Sequence, residues 1–403
     1  MKLWQTTDSL DPRIESFTTG LDPVLDMELI PFDCKASMAH VTMLASIGVI
    51  TNQEAGDLND KLQEIISLHA EGRFSIGGDQ EDGHTAIELF LVDRLGDTGK
   101  KVHTGRSRND QILTALRLFE IDRIDHLTEE VTNLAKKMES FAREHASEPV
   151  PGYTHTRKAM PFTVGEWAMA FHDSLLDDLI LIGATRKVLN QNPLGTGAGY
   201  GVPIPLDRNL TTGLLGFAKV MENPMYAQNS RGKYEARILQ DCLMVLYDLN
   251  KWASDLIFYT LPDLGYFSLD QSLVTGSSIM PHKQNPDVLE LIRASWHQVA
   301  GYEYQLSNIP VNLISGYHRD LQLTKEPLLR GLRITQDVVA VSQVVMDGLE
   351  VNTEALNRSM TEELQSVRKV MELVRSGMTF RDAYREISKV YKPDQDKPNL
   401  SVV

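Results

Sequence analysis

The chain has 403 residues, 42% of them hydrophobic, and its 55 acidic against 40 basic side chains leave a formal net charge of −15. That balance excludes a general affinity for nucleic acid, because no basic excess exists to neutralise phosphates, and the hydrophobic share excludes disorder on a large scale. Residues 1–8 lack the apolar stretch of a secretory leader, and no segment approaches the roughly 18 uncharged apolar residues of a membrane span.

Residues 1–103 are punctuated by Pro31, Gly48, Gly56, Gly72, Gly77 and Gly78 and read as a domain of short helices. Within them Thr85 stands three residues before Glu88, the spacing of a capping box, which leaves His84 as the surprising residue of that segment. From 106 to 148 there is no Gly or Pro. Such a run predicts a helix on the order of 60 Å long at ~1.5 Å per residue. Leu127, Val131, Leu134, Met138 and Phe141 recur along it at steps of four and three, a heptad seam that predicts near-parallel neighbours in a bundle.

Comparable segments follow at 162–190, 233–261, 286–308 and 324–349. The expected architecture is therefore all-α, with a central bundle of five long helices over residues 104–350 and a short C-terminal helical domain over 351–403 that ends in a mobile stretch. No run of alternating strands with two-residue turns stands out, so no large sheet is expected. Bundle stripes this long are seldom covered by one subunit, which predicts oligomerisation. Cys34 and Cys242 lack the spacing of a zinc site or redox pair and read as core residues of a protein in a reducing, cytoplasmic location.

Polar loops interrupt the bundle. In the segment 275–287, Asn285 and Pro286 fit an N-cap and a first helical position, while Gly276-Ser277-Ser278 and Lys283 at a helix start make an equally good site for a carboxylate. At 101–111, Ser107 or Asp110 fits a cap, yet Arg106 and Arg108 at the positive end of a helix dipole favour a bound anion. The loop at 152–161 carries His155, in a setting where a histidine is more often a surface residue than a catalyst. The loop at 316–327 is rich in donors, which a solvated connection would also be. None has the spacing of metal ligands, a phosphate-binding glycine loop or a nucleophile elbow.

Taken together these residues resemble the fumarase/aspartase superfamily. The carrier is Gly276-Ser277-Ser278-Ile279-Met280-Pro281, followed by Lys283, Asn285 and Pro286. Thr104-Gly105-Arg106-Ser107-Arg108-Asn109-Asp110-Gln111, together with Arg319-Asp320-Leu321-Gln322 and Lys325-Glu326-Pro327, narrows the likeness to the argininosuccinate lyase branch, over residues 17–385. The resemblance implies three helical domains, a homotetramer with a twenty-helix core, active sites that each collect loops from three subunits, and no cofactor or metal. It implies reversible elimination of arginine from argininosuccinate with release of fumarate. Ser277 would remove the proton, and His155, oriented by Glu290, would serve the leaving nitrogen, with acid and base interchangeable between Ser277 and His155. Lys283, Asn285 and Ser278 would meet the developing charge. Ser107, Arg108, Asn109, Thr154, Tyr317, Gln322 and Lys325 would hold the substrate, with His84 nearby.

Several positions depart from the family's pattern. Trp4-Gln5-Thr6-Thr7-Asp8 replaces its N-terminal motif, Gly20 stands at a substrate-binding serine, Glu235-Ala236-Arg237-Ile238 occupies an acidic-Arg-acidic pattern, and the C-terminal domain is short. Adenylosuccinate or aspartate lyase chemistry and a noncatalytic scaffold of the same fold are the competing readings; retention of Ser277, Lys283, His155 and Glu290 together speaks against the scaffold.

Overall fold

The computed structural model describes residues 11–77 and 80–391. The departures at 4–8 and the expected mobile stretch after 391 lie outside them. Helices dominate the described residues. Three of 13 to 19 residues, α1 (Ile30–Ser46), α2 (Asn52–Ala70) and α3 (Gly83–Leu95), precede the long α4 (Arg108–Glu144). Then come α5 (Val164–Leu189), α6 (Lys233–Tyr259), α7 (Asp287–Asn308) and α8 (Lys325–Asp347), with α9 (Ser366–Arg375) and α10 (Phe380–Tyr391) near the end. The seam residues Leu127, Val131, Leu134, Met138 and Phe141 are all buried. Spacing in the sequence therefore selected the face of α4 that leaves water, which is where the hydrophobic stabilisation of a long helix comes from.

The chain divides into two compact units. One comprises Met1–Thr132, Asp177–Tyr247 and Ala294–Ala340; the other comprises Asn133–Leu176, Asp248–Arg293 and Val341–Val403. The first contains a core in which Ile30, Cys34, Val41 and Leu44 of α1 join Leu58, Leu62 and Ile65 of α2 and Ile87 and Leu91 of α3. Cys242 is likewise buried, so both thiols are core groups, as their spacing suggested.

The second unit contains an aromatic cluster that anchors a hairpin absent from the expectations. Strand β1 (Pro149–Thr154) pairs antiparallel with β2 (Arg157–Thr163), joined by the two residues His155 and Thr156. Both turn residues have positive φ, 51° and 58°. This is the mirror-image turn that hairpins prefer, but it is ordinarily built from Asn and Gly, and prolines at 149, 151 and 161 break the alternation that would have advertised the strands. Gly152 sits at a register shift where an added Cβ would lie 3.0 Å from the Met160 carbonyl. The Tyr153 hydroxyl meets that of Tyr266 at 2.7 Å, and Lys158 donates to the Ser359 carbonyl at 2.7 Å. The remaining sheets among the described residues are two-stranded and short.

Candidate active site

In the first unit the start of α3, the start of α4, the loop before α6 and the turn into α8 enclose a polar cavity of about 620 Å³. Half of the residues expected at the site line it: His84, Ser107, Arg108, Asn109, Tyr317, Gln322 and Lys325. The other expected residues belong to the second unit. Thr154 and His155 sit on the hairpin, and Ser277, Ser278, Lys283, Asn285 and Glu290 sit on the loop and first turn of α7.

Cap chemistry positions the cavity side chains, and it differs from the expected pattern at α3. Asp82, not Thr85, caps that helix: its Oδ1 accepts from the Thr85 amide at 2.8 Å and from the Thr85 hydroxyl at 2.6 Å. The helix thus starts three residues earlier than a Thr85 cap would allow, and His84 falls in its first turn. At α4, Ser107 and Asp110 share the cap. Ser107 Oγ accepts from the Asn109 amide at 3.2 Å, and the Ser107 amide donates to Asp110 Oδ1 at 2.9 Å. The second oxygen of Asp110 takes the amides of Gly195 and Gly197 at 2.9 and 3.0 Å.

Most cations of the cavity already have carboxylate partners. Lys325, 3% exposed, lies 2.7 Å from Asp22 and 2.5 Å from Asp26. Arg108 reaches Asp82 at 2.9 Å, and Arg319 reaches Glu81 at 2.8 Å. Burial pushes the Asp22 carboxyl above its ordinary range even though Lys325 opposes the shift. Arg106 and Arg231 are the exceptions: Arg106 also has an unpartnered Nε, but its other nitrogens donate to Ser37 Oγ and the Val102 carbonyl, both at 2.9 Å. Arg231 is 4% exposed, its Nε has no hydrogen-bond partner, the Tyr317 ring lies 5.7 Å from its guanidinium, and its charge is felt by the cavity's Asp22 without an ion pair at contact distance. Arg231 also helps lower the buried carboxyls of Glu120 and Glu235, yet burial prevails at both and pushes Glu120 to about 8. Sequence reasoning missed Arg231 and looked instead to Glu235-Ala236-Arg237-Ile238. Arg237 is turned elsewhere, onto Asp241 at 2.5 Å and the Thr185 hydroxyl at 3.2 Å.

Asp22 and Asp26 were missed for lack of any local pattern, and Glu81 and Asp82, in the polar segment that carries His84, were not expected to pair the cavity's arginines. The Gly20 departure lies beside the cavity: Gln322 Nε2 donates to the carbonyls of Thr18 and Thr19 at 3.0 and 3.2 Å, and Gly20 ends the helix Pro12–Thr19 with φ 57°. A cation at a helix start needs a negative neighbour, and Arg108 has found one in protein carboxylates rather than leaving the place wholly to a ligand.

In the second unit the 275–287 loop forms a small hairpin, Thr275–Gly276 against Gln284–Asn285. Asn285 is paired in that ladder with Thr275 and does not cap α7, because Pro286 supplies the first helical carbonyl, accepting from Leu289 and Glu290. Ser277 Oγ accepts from the amides of Ile279 and Met280 at 3.4 and 3.1 Å. Amides aimed at a hydroxyl oxygen favour the alkoxide form over the neutral one. His155 is exposed at the hairpin tip, and among the described residues no hydrogen bond or ion pair joins it to Ser277, Lys283 or Glu290. A β-branched residue at positive φ, here Thr156, costs on the order of 1–3 kcal/mol and is tolerated where surrounding contacts enforce it, a pattern that clusters at functional positions.

Among the described residues no group of His, Cys, Asp and Glu is arranged to hold a metal ion, and no helix is long and apolar enough to cross a membrane.

The protein family described as "Lyase" matches residues 5–301. The chain is 46% identical to the argininosuccinate lyase of Thermotoga neapolitana, over 98% of its own length and 99% of that protein's. It is 42% identical to the argininosuccinate lyase of Sorangium cellulosum, over 96% of its length and 90% of that protein's. Among solved structures, a variant of EDDS lyase with bound fumarate superposes with TM-score 0.81 at 24% identity, over 95% of this chain and 76% of that one. A fumarate lyase from Mesorhizobium superposes with TM-score 0.75 at 16% identity, over 96% of this chain and 87% of that one. These two likenesses establish the fold.

Proposed function

The chain belongs to the argininosuccinate lyase family of the fumarase/aspartase superfamily, and from that premise we propose that it catalyses the reversible elimination of L-arginine from argininosuccinate, leaving fumarate. The observation that carries this reading is the buried, unpaired Arg231 in a cavity whose other cations are mostly matched by carboxylates. Such a guanidinium calls for a carboxylate from outside the protein, and argininosuccinate brings three.

In this reading Arg108, Asn109, Thr154, Tyr317, Gln322 and Lys325 hold the substrate's charged ends. Ser277 removes the proton from the carbon beside a succinyl carboxylate. The electron pair left behind is drawn toward that carboxylate, where Lys283, Asn285 and the loop amides meet the charge. The pair then forms the fumarate double bond as the C–N bond breaks. His155, oriented by Glu290, delivers a proton to the departing guanidino nitrogen, and in reverse takes it back. The amides of Ile279 and Met280 on Ser277 Oγ support the serine's role, since a free serine is a poor base.

We assign the active form to a homotetramer with active sites shared between subunits. Arg108 opens a helix of 37 residues. That length rises about 55 Å at ~1.5 Å per residue, and helices this long leave apolar stripes for other subunits to cover. The residues expected at one active site are divided between the two units, and in this reading each active site draws them from different subunits. Exposed apolar side chains on the long helices, among them Leu176, Ile180, Met244, Leu291 and Val344, are suited to covering one another in such an assembly. A cytoplasmic location accords with two buried thiols. Fumarate absorbance during incubation with argininosuccinate tests the activity; turnover of a different succinyl adduct and none of argininosuccinate would overturn it. Sedimentation of the active species tests the tetramer, and an active monomer would refute the shared site.

A further inference from the structure

We propose that Asp33 is a positioning residue for the substrate site: it holds His84 so that the ring nitrogen it does not bind, Nε2, is presented to the cavity as a donor to an anionic group of the ligand. Asp33 lies on α1, is 3% exposed, and does not itself line the cavity. Its Oδ2 meets His84 Nδ1 at 2.5 Å, while Oδ1 accepts from Gln111 Nε2 at 2.8 Å and Ser37 Oγ at 3.3 Å. Ser37 in turn accepts from Arg106 Nη1 at 2.9 Å. The carboxylate is thus held by three donors from α1, α3 and α4, and the imidazole it orients lines the cavity.

A clamp between α1 and α3 alone would not require the imidazole to line the cavity. His84 occupies the first turn of α3, where the helix dipole disfavours positive charge. The groups facing it are Asp33, Asp82 and Asp26 on the acidic side and Arg106, Arg108 and His103 on the basic side, with Lys325 bound to Asp26. Burial alone would favour the neutral ring; Asp33 first, then Asp82 and Asp26, outweigh it and hold His84 above the ordinary histidine value. The cation is present below that raised value and is lost as pH rises through it. Binding of an anionic ligand should weaken on the same alkaline limb.

This inference rests on the cavity binding argininosuccinate, and the experiment separates the two. KM and kcat for argininosuccinate are measured against pH for the wild type, Asp33→Asn, His84→Gln and the double variant, with His84 imidazole titration followed by NMR without ligand. Asp33→Asn should raise KM about tenfold, the loss expected for one charge-assisted hydrogen bond, with kcat little changed. Its alkaline rise in KM should begin at lower pH. His84→Gln should raise KM similarly without that pH dependence, and the double variant should be no worse than His84→Gln, because Asp33 acts through the ring. Additive losses, or an unchanged KM in His84→Gln, overturn the proposal; the latter decides it even if Asp33→Asn does not fold. A wild type without argininosuccinate turnover sinks the functional reading instead. The inference is then judged by the ligand-free titration, where His84 values that are equal in the wild type and Asp33→Asn overturn it.

Discussion

Replacing Arg231 with Met separates an anion receptor from a structural counter-ion. The wild-type guanidinium is 4% exposed and carries an unpartnered Nε, so its burial is a cost that Asp22, Glu120 and Glu235 offset only through space, without a hydrogen-bonded ion pair. Burial pushes the nearby Glu120 carboxyl up, and Arg117, 3.4 Å away, is its ion-pair partner, so Arg231 is not its sole counter-charge. Met fills much of the same volume without charge. Arg231→Met should therefore leave the free protein as stable as the wild type, within about 1 kcal/mol, or more stable. With substrate the sign reverses: a charge-assisted hydrogen bond to a carboxylate contributes about 1.5–3 kcal/mol, which corresponds to a rise in KM of roughly 10- to 100-fold. Lys325→Met is the control, because Lys325 is clamped between Asp22 and Asp26 and its removal strands two buried carboxylates. That variant should lose about 3–5 kcal/mol of stability. Urea unfolding and initial-rate kinetics on the three proteins give both quantities. If Arg231→Met loses stability as Lys325→Met does while KM stays put, Arg231 serves Glu120 and Glu235, and the case for a carboxylate at that point fails.

Ser277→Ala should lower kcat by about 10²–10⁴-fold, the range for a positioned proton-transfer group. Its circular dichroism and oligomeric state should be unchanged, because the serine's contacts lie within an exposed loop; wild-type turnover would remove Ser277 from the chemistry. Thr156→Gly relieves a residue held at φ 58° and should raise the melting temperature, by about 1 kcal/mol of stability, while kcat falls as the His155 turn loosens. A lower melting temperature would show that the Thr156 side chain, not the turn geometry, matters to the fold. Glu120 has a folded-state value raised to about 8 from 4.5, so its contribution is present at low pH and is lost as pH rises from about 4.5 through 8. Glu120→Gln should flatten that alkaline decline in unfolding free energy, and an unchanged slope would mean that another group titrates.

What local sequence determined is what local physics encodes. A stretch without Gly or Pro, with Leu127, Val131, Leu134, Met138 and Phe141 at helical spacing, has one stable arrangement, and α4 and its buried face follow from it. The loops at the helix ends were legible for the same reason, since polar and Gly-rich runs do not continue a helix. The two-residue hairpin turn was not, because His155 and Thr156 are poor residues for positive φ and are held there by contacts from Tyr153 and Lys158 to residues distant in the chain. Neither was the cap at Asp82, which outcompeted a plausible Thr85–Glu88 box. The cavity's charge pattern was the least legible. Lys325 meets Asp26 across 299 positions, and the pairing of Asp33 with His84 crosses 51. Periodicity and propensity act over a few residues, whereas which buried charge faces which partner is decided only when the chain is packed, by the need to leave no charge in the interior without a counter-charge or a ligand.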